Sequence, residues 1–270
     1  MSDNQPLHLK VKDWLEKTGL PLELETAASF KKAGFSVEHS SVYADPQSEK
    51  SREIDVIAHT RDRTGMVQFY GAIECKSSGN PWIVLVDGDS SAVVTYSSLG
   101  VMSESARESL TYENILGLGS NVGHLLKTMH SNGYALRQAF CKDNDPAYAA
   151  SMSAMNAAIA LATRSDFRTP RYCFAVPVIV VNAPIFECHL DQKGELQFRE
   201  VHWSEFMFTA YLPERTNAVV RVVSAKALPA FSSVLWRLAD AIKVALKPIA
   251  TEFLKSHMER LRESQEDRNS

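Results

Sequence analysis

The chain predicts an α/β fold, and three observations carry that reading. Residues 52–58 and 71–77 are apolar runs of strand length, rich in β-branched side chains, and Asp62-Arg63-Thr64-Gly65 between them has turn chemistry, so the pair predicts an antiparallel hairpin. Residues 146–163 carry Ala149, Met152, Met155, Ala158, Ile159 and Ala162 at helical spacing. Residues 172–181 are almost wholly apolar, as in a strand covered on both faces.

The remaining elements follow in order. Residues 7–18 read as a short helix with Leu7, Leu9, Val11, Trp14 and Leu15 partly on one side; Gly19 fits its C-cap and Pro21 the start of the next helix. That second helix spans 22–33, with Leu24, Ala27, Ala28 and Phe30 inward and Gly34 closing it. Residues 36–43 form a first strand, 45–50 a polar loop, and 52–59 and 67–76 the hairpin. From 82 to 145 short apolar patches alternate with Gly, Ser and Asn; Val84-Leu85-Val86 reads as a strand and 124–129 as helix. After Ala183-Pro184, residues 185–190 and 195–201 form a second hairpin around Asp191-Gln192-Lys193-Gly194, and 205–211 and 218–223 add two strands. Residues 228–247 are helical, with Phe231, Leu235, Leu238, Ala239 and Ile242 on one side. Pro248 predicts an interruption before a further helix to about residue 262, and the mixed-charge tail after 259 is expected to fray.

Composition bounds the function classes. An apolar fraction of 45% in 270 residues suits one packed domain with elaborations. The net charge of −3 excludes a global basic field, so nucleic acid would need a local cluster. Cys75, Cys141, Cys173 and Cys188 are widely spaced, which reads as reduced thiols and not as a disulfide framework or zinc site. The first residues lack signal-peptide character and no apolar run reaches transmembrane length, so the expectation is a soluble cytoplasmic protein with no membrane partner.

The chemistry-bearing residues are charges set in apolar strands. Period-two alternation puts Glu74 and Lys76 on one face of their strand and Cys75 on the other. Asp55 lies on the partner strand, and a one-residue slip would move it to the far side, so sequence leaves its face open. Brought together, two carboxylates and an ammonium suit Mg²⁺ or Mn²⁺, which complete their coordination with water and phosphate oxygens. A divalent cation makes nearby water more acidic and neutralises charge on a transferring phosphoryl group, so the set fits phosphodiester hydrolysis.

Asp55 followed by Glu74-Cys75-Lys76 resembles the PD-(D/E)XK nuclease superfamily over residues 22–76, extending to 181, although Ile54 stands where the family name has Pro. The resemblance implies a restriction endonuclease-like αβββαβ core with a mixed central sheet at about 20–80 and 146–182. The whole would be a single domain, 1–270, with an insertion at about 82–145 after the third strand and a C-terminal β-hairpin and helical extension at about 183–270. It implies a metal-dependent endonuclease acting on DNA, in defence or DNA repair. Asp55, Glu74 and the Cys75 carbonyl would hold Mg²⁺ or Mn²⁺, and Lys76 would position or activate water. It also implies an acid in the first helix. Glu23 stands eleven positions before Gly34 of the Gly34-Phe35 pair; Glu25 is the competitor, and both also fit the helix dipole. Substrate preference would come from the insertion, a homodimer or a protein partner.

Other readings stand beside this one. A Glu-x-Lys tripeptide arises by chance about once in such a chain, and edge strands carry charges against aggregation. The alternative is a catalytically silent nuclease-fold interaction module that binds nucleic acid or a protein. The segment 117–123, Gly-Leu-Gly-Ser-Asn-Val-Gly, resembles a dinucleotide fingerprint, but its third glycine comes one residue late and it reads better as a tight loop. Cys188-His189 reads as strand content. Candidates for phosphate contact are Arg52, foremost, with Lys31, Lys32, Lys50, Arg61 and Arg63, each also readable as surface charge.

Overall fold

The computed structural model describes residues 6–45, 48, 50–88, 94–110, 115–117, 120–129, 132–141, 145–163, 171–211 and 215–266. The helices are α1 (Leu7–Glu16), α2 (Leu20–Ala33), α3 (Glu104–Ser109), α4 (Asn121–Met129), α5 (Pro146–Ala162) and α6 (Leu228–Glu266). The strands are β1 (Ser36–Ala44), β2 (Ser51–Arg61), β3 (Val67–Lys76), β4 (Trp82–Val86), β5 (Val101–Met102), β6 (Gly133–Gln138), β7 (Tyr172–Val181), β8 (Ile185–Leu190), β9 (Leu196–Val201), β10 (Trp203–Tyr211) and β11 (Arg215–Ser224).

One mixed sheet joins them in the order β1-β2-β3-β7-β11-β10-β6-β4-β8-β9, with β5 paired to β7. β1, β2 and β3 are antiparallel neighbours, and β3 and β7 run parallel. A parallel pair needs a crossover, and α5 packs on both strands. The expected insertion does not stand apart from the sheet. Its β4 pairs with β6 and β8, and β6 pairs with β10.

Burial on both faces explains the apolar β7, every residue of which is buried. One face carries α2, α4 and α6, where Phe30, Val56, Phe69, Ile73, Val178, Phe231 and Leu235 share a core. The other carries α5. Ala150, Ala154, Ala157 and Ala158 are wholly buried there, because small side chains let the helix backbone lie close to the sheet. Gly34 ends α2 at φ 113°, a left-handed conformation that favours glycine, and Phe35 then turns into the core.

Four local expectations change: Gly19, for one, is the N-cap of α2, while α1 has Lys17 as its C-cap. The apolar side of α1 is not buried; Leu7 is 77% and Trp14 61% exposed. In α2, Leu22 and Thr26 turn inward with Ala27 and Phe30, whereas Leu24 is 60% exposed and Ala28 is also exposed. The reason is a rotation of the buried stripe about the helix, since 22, 26, 27 and 30 keep helical spacing. Pro248 does not interrupt the last helix, which runs unbroken from Leu228 to Glu266. Leu246 and Ala250 are buried on either side of it, and that packing outweighs one lost backbone bond. The end of the tail, and Leu118 and Gly119 of the glycine-rich segment, lie outside the described residues. Within that segment the Ser120 hydroxyl accepts from the Gly123 amide, a cap at the start of α4.

Candidate functional site

The register of β2 on β3 places Val56 opposite Ile73, so continuing it brings Asp55 beside Glu74. The ladder ends there and a side chain takes over. Asp55 Oδ2 accepts the Cys75 amide at 2.7 Å, which ties the acid of one strand to the Glu-x-Lys of the next. The alternation beyond follows the sequence. Cys75 Sγ faces α2 and donates to the Thr26 hydroxyl at 3.6 Å. Glu74 faces α5, where Ser153 Oγ donates to its Oε2 at 2.7 Å. Lys76 Nζ donates to Glu74 Oε1 at 2.5 Å.

Electrostatics follow from crowding. Glu74 is buried, only 7% exposed, and Asp55 is half-buried. Desolvation and the Glu74 charge together push the Asp55 carboxyl up to about 6, against the pull of the Cys75 amide and Lys76. Burial also raises Glu23, helped by repulsion from Glu53 and Glu74. Glu23 therefore lies within the field of Asp55, Glu74 and Lys76, while Glu25 is exposed. The Cys75 thiol is pushed well above its ordinary range, by burial first and then by the Asp55, Glu23 and Glu74 charges, and it points to Thr26 on α2.

Sequence reading missed the residues that brace this pair. Ser153 comes from α5, seventy-nine positions away from Glu74. Tyr43, from β1, donates to the Ser153 carbonyl at 3.4 Å; burial pushes its hydroxyl up to about 12. The sequence signal was present as polar side chains in an alanine-rich helix, Ser151, Ser153 and Asn156. Arg52 is committed to buried Asp45, which also accepts from the Ser48 amide at 3.0 Å, so it is a structural partner before it is a phosphate contact. Lys31 Nζ lies 3.5 Å from His39 Nε2 on the surface, and Lys32 and Lys50 are exposed. Arg61 lines a cleft of about 490 Å³ with Ser36, Glu38, His59, Tyr70 and Arg171, at the other ends of the same strands from Asp55 and Glu74. Its Glu38 and His59 pair with each other at 3.4 Å, and the perturbed carboxylates lie elsewhere.

Two close, partly desolvated carboxylates fit a small cation that keeps most of its own waters. Among the described residues no three His, Cys, Asp or Glu side chains converge as a metal cluster. No protein-family model, curated protein or solved structure matches this chain. Among the described residues no helix is long and apolar enough to cross a membrane.

Proposed function

We propose that this protein is a divalent-cation-dependent endonuclease that hydrolyses phosphodiester bonds of DNA on a restriction endonuclease-like core. The observation that carries it is the bond from the Cys75 amide to Asp55, which holds one acid against a Glu-x-Lys whose side chains share a face. Support also comes from the order α2-β1-β2-β3-α5-β7, with β3 and β7 parallel across the α5 crossover. In this reading Asp55 and Glu74 hold Mg²⁺ or Mn²⁺, with the Cys75 carbonyl as a further ligand. When bound, the cation supplies charge neutralisation and a more acidic water. Lys76 sits beside Glu74, where it orients water or faces the scissile phosphate. Glu23 approaches from α2 and holds a proton more readily than an ordinary glutamate, which suits it to exchange protons with water. DNA as substrate rests on resemblance.

The test is cleavage of plasmid and single-stranded DNA by wild type, Asp55→Asn and Glu74→Gln, with Mg²⁺ and with chelator. Cleavage that needs Mg²⁺ and both acids supports the proposal; a wild type that cuts no substrate with any divalent ion sinks it.

A second reading has its own observation. Both Glu74 oxygens already accept bonds from within the protein, as in a structural ion pair. A silent nuclease-fold module would keep such a pair for stability alone. Glu74→Gln would then lower the melting temperature without any activity to lose.

A further inference from the structure

Ser153 behaves unlike its neighbours in α5. A serine inside a helix ordinarily returns its hydroxyl to the carbonyl four residues back. Ser151 does this, donating to the Ala147 carbonyl at 2.6 Å, and Thr163 does the same with Ile159 at 2.8 Å. Ser153 Oγ instead leaves the helix and donates 2.7 Å to Glu74 Oε2. The approach of α5 makes this reach feasible, since Ala150, Ala154, Ala157 and Ala158 are wholly buried around it. Tyr43 fixes the same turn from the other side by donating to the Ser153 carbonyl.

The consequence concerns which oxygen of Glu74 remains for a cation. Oε2 is held by the serine. Oε1 lies 2.5 Å from Lys76 Nζ, an exchangeable cation on a flexible stem that is partly open to solvent. A hydroxyl donating to a carboxylate is a charge-assisted bond and fixes the plane of the group.

We propose that Ser153 is a positioning residue for the cation site: it locks Glu74 so that Oε1, the oxygen Lys76 now holds, faces the ion. This rests on the reading of Asp55 and Glu74 as cation ligands. The crossover helix thereby sets the geometry of an acid that β3 supplies. Groups behind a metal ligand typically govern affinity by about 10- to 100-fold.

The experiment uses the full chain as wild type, Ser153→Ala, Ser153→Thr and Glu74→Gln. Mn²⁺ binding is read from the paramagnetic resonance of the free ion, and Mg²⁺ dependence from plasmid nicking. Ser153→Ala is expected to bind Mn²⁺ about tenfold more weakly and to need correspondingly more Mg²⁺ for half-maximal nicking, with a smaller loss at saturating Mg²⁺. Ser153→Thr, which keeps the hydroxyl, is expected to restore both. A merely structural serine would lower the melting temperature and leave Mn²⁺ affinity unmoved. Should Ser153→Ala fail to fold, Ser153→Cys, nearly the same size and a weak donor, takes its place with the same expectation. Wild-type-like Mn²⁺ affinity in the Ala or Cys variant overturns the inference alone, provided Glu74→Gln abolishes binding. Equal Mn²⁺ binding by wild type and Glu74→Gln overturns it together with the reading beneath it.

Discussion

Asp55 and Cys75 sit on adjacent strands, and the carboxylate of one accepts the backbone amide of the other at 2.7 Å. A side chain thus completes the ladder where β2 and β3 cease to pair. The bond orients one Asp55 oxygen inward and leaves Oδ1 to other partners. It also stabilises the charged form of a group that burial and Glu74 oppose.

That opposition predicts a pH dependence. The Asp55 carboxyl rises from 3.8 to about 6 on folding. Below about 3.8 it is protonated in both states and contributes no difference. Between the two values the folded chain keeps a proton that the unfolded chain releases, so stability falls as pH rises, and above about 6 the loss is complete. Allowing for solvent screening, the effect is on the order of 1 kcal/mol. Asp55→Asn keeps an acceptor for the Cys75 amide and removes the charge. Its metal-free melting temperature should equal or exceed that of wild type at pH 7, with a flatter profile between pH 4 and 6. A variant that melts well below wild type at pH 7 would contradict the strained-carboxylate account.

Lys76→Ala should separate chemistry from folding. The ammonium contributes to charge handling at the site, and losing one such group costs on the order of 10²-fold in rate. Ser153 still satisfies Glu74 Oε2, so the fold should survive with a modest fall in melting temperature. Single-turnover cleavage beside thermal melts checks this; rates within a factor of two of wild type would remove Lys76 from the mechanism.

Cations should act on stability as well as on rate. A ligand bound only by the folded state stabilises by about 2.7 kcal/mol at a hundredfold excess over Kd. Mg²⁺ and Mn²⁺ should therefore raise the melting temperature of wild type and leave Asp55→Asn and Glu74→Gln unmoved. Chelator should abolish cleavage and Mg²⁺ restore it. Ca²⁺ should give the thermal shift with little turnover, because its looser coordination places water less well. Calorimetric scans with each ion decide the matter, and equal shifts in all three proteins would count against the site.

A fourth expectation lies outside the site. Arg221 on β11 and Glu205 on β10 are each 1% exposed and 3.3 Å apart, and Arg221 Nη2 donates to the Ser98 carbonyl at 2.7 Å. Burial lowers the Arg221 pKa against the pull of Glu205. Removing one member leaves a buried charge uncompensated, so Glu205→Leu or Arg221→Met alone should cost about 3–5 kcal/mol. The double variant should recover most of that loss. Denaturant melts of the full cycle measure it, and additive costs would show that the two groups act independently.

Much of the fold was legible because hydrophobic periodicity is a local property. Runs such as 67–76 and 172–181 coincide with β3 and β7, and the hairpin of β8 and β9 lies where its turn residues predict. Phe231, Leu235, Leu238, Ala239 and Ile242 are all wholly buried, as their spacing requires. Where local rules misled, neighbours decided. Pro248 continues a helix held by Leu246 and Ala250, and the α1 stripe finds no core to enter.

The sequence by itself determined most strands and helices outside residues 82–145, and that Glu74 and Lys76 share a face with Cys75 opposed. Those statements depend on side-chain periods of 3.6 and 2.0 and need no knowledge of partners. Only the tertiary structure decided that Asp55 meets Glu74, because pairing register is a property of two strands and not of one. It alone set Glu23, and not exposed Glu25, within the field of Glu74, and it alone brought Ser153 and Tyr43 near that carboxylate. Those contacts span 79 and 110 positions of chain, and a crossover helix joins them by closing on the sheet, a step that no local pattern encodes.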